Sequence, residues 1–438
     1  MKKIAVIGAG ISGLSVAYYL GKDYQIDIYE RSGNAGGLAR SFKIEDTYLE
    51  IYFHHFFKSD KALLKLIDDL GIKEEVMFRK SSIGIYYKEG IMPFSTSKDL
   101  LLFKRLSLLS KLTFGLHILF LRNKNRWRNL ENYTVKEWMQ KYFGKVIYKQ
   151  IWEPLLYAKF GEYASEIPMS WLWGRIHPRA ASRKGDQESL GYIKGGFSML
   201  FERLIEKIKM NNGNIFFNNE VKEIETIGDK VSIYTKNQVK HYDLVVMAVD
   251  TAEIIKIIKD LSDKKADKLK EIEYFSVICL VLKLKRSLGK RYWLNNAEKE
   301  IPISGIIEHT NFVPPEYYNG YHIAYVFRYL SPNDRLFSLS KSEICSLFCE
   351  SVRRIYPNFN SNDIADYYCY KSLRATPVYK GKYSNLRPSF EILPEKLYMI
   401  NTSQIYPYDR NINNGILLAN ELVNKLGRNG IQNHLTRE

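Results

Sequence analysis

Apolar and polar positions alternate along this chain in two distinct periods. Residues 3–7, KIAVI, form a short apolar run, residues 12–20 carry helical spacing, and residues 25–29, QIDIY, form a second apolar run ending at Glu30. A strand, a helix and a parallel strand are predicted, a βαβ unit. From about residue 100 to 173 the period becomes helical and rich in Leu, Trp and Tyr, which predicts an inserted helical subdomain. The stretch GYIKGGFSMLFERLIEKIKMNNGNIFFNNEVKEIE then reads as turn, helix, a stop at Gly213 and a strand, and HYDLVVMAVDT as another buried strand. Strand-like runs FSVICLVLKLK, SGIIEH and YHIAYVFRYL follow, with one helix near 341–356, so residues 263–385 are expected to build a mixed sheet. A strand, a loop and a closing helix at about 413–426 complete the pattern. The fold class expected is α/β: a discontinuous Rossmann-type domain from residues 1–95, 190–262 and 386–438, a helical insertion at 96–189 and a substrate domain at 263–385.

Composition narrows the function. With 438 residues, 45% of them apolar, the chain can bury one large core or two moderate ones. Its four cysteines, Cys279, Cys345, Cys349 and Cys369, form no CxxC pair and have no partner at metal-ligand spacing, so no metal and no disulfide framework is expected. The formal charge of +17 suits an anionic partner, but the lysines are spread along the chain and no nucleic-acid signature accompanies them. Nucleic acid is therefore not expected as a partner. The glycine-broken start marks residues 1–20 as mature structure instead of a leader, and a cytoplasmic protein is expected. The oligomeric state is not legible.

The chemistry begins at Gly8-Ala9-Gly10-Ile11-Ser12-Gly13, set between a strand and a helix. Gly8 permits the tight turn, Gly10 lets backbone approach a pyrophosphate, and Gly13 lets helix pack closely on strand, aiming the helix N-terminus at phosphate. Glu30, twenty residues after Gly10, stands where a carboxylate accepts both ribose hydroxyls, which favours FAD or NAD over NADP. Beyond it, Arg31 to Arg40 includes the pair Gly36-Gly37, then Leu38 and Arg40. A second glycine turn followed by an arginine separates FAD from NAD, because the loop lies along an extended dinucleotide and Arg40 can neutralise the diphosphate. No Ser/His/Asp set, HExxH or P-loop accompanies it, so hydrolysis and phosphoryl transfer have no support.

Together with Tyr192-Ile193-Lys194-Gly195-Gly196-Phe197, these segments resemble the flavin-containing amine oxidase superfamily, which includes protoporphyrinogen oxidases, carotenoid desaturases and, more distantly, UDP-galactopyranose mutases. The resemblance implies FAD as cofactor, with the backbone at Val221 against adenine. It also implies that Asp409, Arg410, Ile412 and Asn413 lead the last helix to the flavin ring. One branch, of polysaccharide assembly and the mutases, carries a His-aromatic stretch like Tyr52-Phe53-His54-His55-Phe56-Phe57; His54 or His55 is then expected near flavin N5. Arg374, Tyr379, Glu308 and His309 are further candidates for the substrate pocket, Arg374 with a catalytic role. Only one GxGxxG unit is visible, so the electron partner is expected to be oxygen, a quinone, another protein or the substrate itself.

Residues 98–128 hold eight Lys or Arg and one Asp among leucines, with no uncharged run approaching the roughly 20 residues of a spanning helix. Two expectations stand for this segment: an amphipathic helix packed on the flavin domain, or peripheral attachment to the inner face of an anionic membrane. The leading function is an FAD-dependent oxidoreductase of the oxidase, dehydrogenase or desaturase type, acting on a small-molecule substrate such as a lipid-linked or glycan precursor. The alternatives are a non-redox flavin mutase and a flavin-binding scaffold without turnover.

Overall fold

The computed structural model describes residues 2–124, 126–182 and 188–427. Strand Lys3–Ile7 lies inside a six-stranded sheet of order Asn214–Phe216, Gln25–Tyr29, Lys3–Ile7, Leu244–Met247, Leu397–Met399 and Glu391–Leu393. The first five run parallel and the last antiparallel. Both faces of this sheet are covered, which is why its central strands read as unbroken apolar runs. On one face pack helices Ile11–Leu20, Ser198–Met210 and Ile412–Lys425; on the other lies a three-stranded antiparallel sheet, Val221–Ile227, Lys230–Thr235 and Val239–Tyr242. The dinucleotide domain is thus assembled from the beginning, middle and end of the chain.

The second sheet has seven strands, in the order Ile364–Pro377, Tyr274–Leu284, His322–Leu330, Gly305–Glu308, Trp293–Asn296, Ile83–Tyr87 and Gly90–Pro93. Its long strand Tyr274–Leu284 sends Val277, Cys279 and Val281 toward the core shared with the first sheet. Ile278, Leu280 and Leu282 go to the opposite face, with Ile344, Phe348 and Val352 of helix Lys341–Ile355. The hairpin of Ile83–Tyr87 and Gly90–Pro93 falls within the segment 1–95 assigned by sequence to the dinucleotide domain, yet it pairs through Trp293–Asn296 into this second, mixed sheet. Strand pairing, which no local pattern specifies, decides its place.

The insertion is helical: Leu108–Asn123, Val135–Tyr142, Glu153–Phe160 and Met169–Ser182 enclose their own core of Leu130, Met139, Phe160 and Trp173. Capping boxes at Thr96 and Thr134 start two of its helices. Gly174, within Met169–Ser182, lets this helix lie directly on Pro407, since a Cβ there would overlap the Pro407 carbonyl. The insertion thereby reaches the loop that precedes the last helix. Among the described residues no helix is long and apolar enough to cross a membrane, and no group of His, Cys, Asp or Glu has the arrangement of a metal site. The four cysteines are free thiols.

Candidate active site

The glycine turns are conformationally required. Gly8 has φ +102°, and a Cβ on it would sit 2.7 Å from the Ala248 carbonyl oxygen; a Cβ on Gly13 would overlap the Gly8 oxygen. Gly36, at φ +110°, would meet the Arg40 Cα at 2.8 Å, and its N–H donates to the Ala9 oxygen at 2.8 Å, so the two loops lie side by side. Helix Ile11–Leu20 starts at Gly10 with no side-chain cap, as a helix N-terminus that binds phosphate requires. One Glu30 carboxylate oxygen accepts from Ala9 N–H at 2.9 Å and the other from Ser32 N–H at 2.9 Å, which orients the acid at the strand's end. Such a cradle fits the adenosine and diphosphate of FAD, and Gly8, Gly10, Gly13, Glu30, Gly36 and Gly37 are the residues that would hold them.

The other expected cofactor residues are placed as follows. Arg40 donates to the Gly37 oxygen at 3.2 Å, and Leu38 sits half-buried in the turn Gly37–Ala39. Arg31 faces solvent, with Glu253 3.9 Å away. Val221 opens its strand beside a bulge, next to Asn219, whose N–H donates to the Glu30 oxygen. Ser12 and Ile11 abut Gly415 of the last helix, so the two helix N-termini lie together. Ile412 is buried, and Asn413 receives the Leu63 N–H at 3.1 Å.

Glu50 anchors the histidine loop. Fully buried and pushed up to about 6 by burial, it accepts from Phe197 N–H and the Tyr192 hydroxyl, both at 2.7 Å, and so ties residues 51–55 to the Gly195-Gly196 turn. His54 Nδ1 is 2.7 Å from the Tyr52 carbonyl oxygen; a carbonyl only accepts, so Nδ1 carries the proton and Nε2 keeps its lone pair. His55 Nδ1 lies 3.0 Å from the Tyr292 hydroxyl, with its ring edge-on to Phe57, Tyr292 and Trp293. Burial drives His54 down to about 4 and His55 down to about 3, yet both keep some accessible surface.

Arg374 belongs elsewhere. Its Nε donates to Asp250 at 2.7 Å, and it borders a depression of about 440 Å³ with Thr251, Tyr274 and Pro332. Its strand is four steps across the sheet from Trp293, about 19 Å at ~4.8 Å per step. The remaining pocket candidates are buried in structural bonds: Tyr379 donates to the Ile405 oxygen, Glu308 accepts from Leu288 and Gly289, and His309 meets the Tyr318 hydroxyl. The fold thus brings His54 and His55 together and leaves Arg374 with Asp250.

Sequence reading missed Lys159 and Arg175, from the insertion, and Tyr329, from the second sheet. Lys159 Nζ and Arg175 Nη1 lie 3.3 and 2.5 Å from the two oxygens of Asp409, and both cations sit over the Trp171 ring. Arg410 is directed at the Tyr329 hydroxyl, 3.4 Å away. Asp409 is held well below the usual carboxylate range: burial opposes this, and Arg175, Lys159, Arg179 and Arg410 outweigh it. Burial, then the Arg175 charge, bring Lys159 down to about 7. A lone basic residue in YAKFG or WGRIH resembles any helix-surface charge, so the only available signal was its aromatic company.

Comparison with known proteins agrees with this geometry. The pattern of the family described as flavin containing amine oxidoreductase matches residues 11–394. A protoporphyrinogen oxidase 2 of Arabidopsis thaliana is 21% identical, over 90% of this chain and 88% of the relative. The mitochondrial protoporphyrinogen oxidase of Nicotiana tabacum is 29% identical over 38% of this chain, a match that spans 34% of the tobacco protein. Among solved structures, reduced UDP-galactopyranose mutase superposes with a TM-score of 0.75 at 16% identity, covering 98% of this chain and 96% of that one, which is a likeness of fold.

Proposed function

The chain belongs to the flavin-containing amine oxidoreductase family and is an FAD-dependent oxidoreductase, and from that premise we propose that it takes hydride from carbon in a lipid-linked or glycan-precursor substrate at an anionic membrane surface. The observation that carries the redox assignment is the FAD-shaped cradle of two abutting glycine turns and Glu30, in a chain whose residues 11–394 match that family. FAD, held by the glycine turns and Glu30, supplies a two-electron hydride acceptor. His54 and His55 are uncharged at neutral pH, and the His54 Nε2 lone pair can accept a hydrogen bond from a substrate hydroxyl. Phe57, Tyr292 and Trp293 pack around His55, and Phe197 lies against His54, so the rings exclude water. The start of helix Ile412–Lys425, next to Arg410, favours negative charge nearby.

The membrane assignment is supported by the insertion. Leu101, Leu102, Leu108, Leu109, Leu112 and Leu116 are exposed together, Leu109 at 75%, with exposed Lys98, Lys104, Arg122 and Arg126 around them. Monomeric soluble proteins rarely leave such a patch open.

The test is an anaerobic absorbance titration. Flavin bands near about 450 nm that candidate lipid-linked or glycan precursors bleach are expected. Conversion of a nucleotide sugar only after dithionite reduction would favour a mutase, and bands that no substrate alters would favour a scaffold.

A further inference from the structure

Four cations, Lys159, Arg175, Arg179 and Arg410, act on Asp409, and three of them come from three separate elements. Lys159 comes from Glu153–Phe160, Arg175 from Met169–Ser182 and Arg410 from the loop before Ile412–Lys425. Among the described residues, the ion pairs of Lys159 and Arg175 both end on the one carboxylate of Asp409. Arg410 instead faces a neutral hydroxyl, Tyr329. Neither Lys159 nor Arg175 is sealed: each side chain keeps 19% of its surface, and Asp409 keeps 31%. Positive charge gathered beyond its counter-charge in a desolvated cluster is costly unless an anion completes it.

We propose that Lys159, Arg175 and Arg410 form the subsite for a diphosphate group on the substrate, with Asp409 spacing the first two. The assignment rests on the oxidoreductase reading for calling that ligand a substrate. Asp409 shows what a single carboxylate takes up here, two cation contacts, and the excess that remains calls for a ligand with more than one negative charge. Two guanidinium forks suit paired phosphoryl oxygens, and Lys159 adds a point charge. Burial and the Arg175 charge lower Lys159 to about 7, as expected of a cation awaiting its anion. His55 lies within the same field, which places the diphosphate end beside the histidine loop.

The experiment is isothermal titration of the FAD-loaded protein, whose own diphosphate cradle at Gly10 is then filled, with inorganic pyrophosphate and with succinate at matched ionic strength. Pyrophosphate is expected to bind at least tenfold tighter than succinate. Lys159→Gln and Arg410→Gln are each expected to weaken it about tenfold, whereas Asp409→Asn, which removes the carboxylate that both Lys159 and Arg175 meet, tightens it several-fold. A role in folding alone would not produce that opposite sign. Raising the pH from 6 to 8.5 is expected to weaken binding to the parent protein but less to Lys159→Arg, which keeps its charge and controls for misfolding. No heat with pyrophosphate while the flavin bands are intact overturns the subsite, and so does succinate binding equally well. In a protein that takes up no FAD, pyrophosphate binding that Lys159→Gln and Arg410→Gln each weaken about tenfold would uphold the subsite and sink the oxidoreductase reading instead.

Discussion

At the scale of single residues, the site depends on atoms that are missing as much as on atoms present. Gly13→Ala would force a methyl into the Gly8 carbonyl, parting helix from strand at the turn. Overpacking of this kind costs about 1–3 kcal/mol, so a lower melting temperature and weakened FAD retention are expected by calorimetry and absorbance. Glu30→Gln keeps the volume and removes the charge that Ala9 and Ser32 orient. FAD affinity is expected to fall about tenfold, ~1.4 kcal/mol, with little change in the apoprotein's melting temperature. The histidines set a pH response whose sign follows from their lowered values. An unfolded chain protonates its imidazoles near pH 6.5, whereas folded His54 and His55 resist until about 4 and about 3. The stability these two histidines contribute is therefore complete above pH 6.5 and is lost as pH falls through that window. His117 and His309, lowered to about 3 by burial, add to the same slope. A His54→Gln, His55→Gln double variant should lose less melting temperature between pH 6.5 and 4 than the parent, though not none.

At the scale of elements, helix Leu108–Asn123 has two faces with different jobs. Phe114, His117 and Leu121 are buried in the insertion, the His117 ring stacked 3.9 Å from Phe143, while Leu109, Leu112 and Leu116 face outward. Leu109→Glu with Leu116→Glu should leave the melting temperature nearly unchanged and cut co-sedimentation with phosphatidylserine vesicles by tenfold or more. Phe114→Ala should do the reverse, lowering stability by about 3 kcal/mol. Equal vesicle binding by the parent and the double glutamate variant would remove the membrane surface from the proposal. The periodicity of residues 98–128 announced a helical, basic, leucine-rich segment. Which leucines stay uncovered depends on what the other helices of the insertion bury.

At the scale of the whole molecule, the cluster about Asp409 exists because three bodies meet: the dinucleotide sheet, the seven-stranded sheet and the helical insertion. Gly174 against Pro407 is one point where the insertion docks, and a Cβ there overlaps the Pro407 carbonyl. Gly174→Ala should therefore lower substrate affinity and melting temperature together, while FAD, held by the glycine turns far along the chain, is retained; loss of FAD in parallel would show that the docking supports the whole fold. Gly8 to Gly13, Glu30 and Gly36-Gly37 could be recognised in the sequence because one βαβ unit and its next loop place them, and short-range geometry needs only neighbouring residues. The α/β class and the helical insertion were legible for the same reason, since each period of apolar residues reports the element that carries it. Lys159, Arg175 and Tyr329 were not, being 250, 234 and 81 positions from the partners they meet at Asp409 and Arg410. The hairpin at 83–93 and the pairing of Arg374 with Asp250 were hidden likewise, because strand order and docking bring distant segments together. The glycine turns and the Glu30 carboxylate follow from local backbone geometry, whereas the cluster of Lys159, Arg175 and Arg410 about Asp409 arises only when separate elements pack.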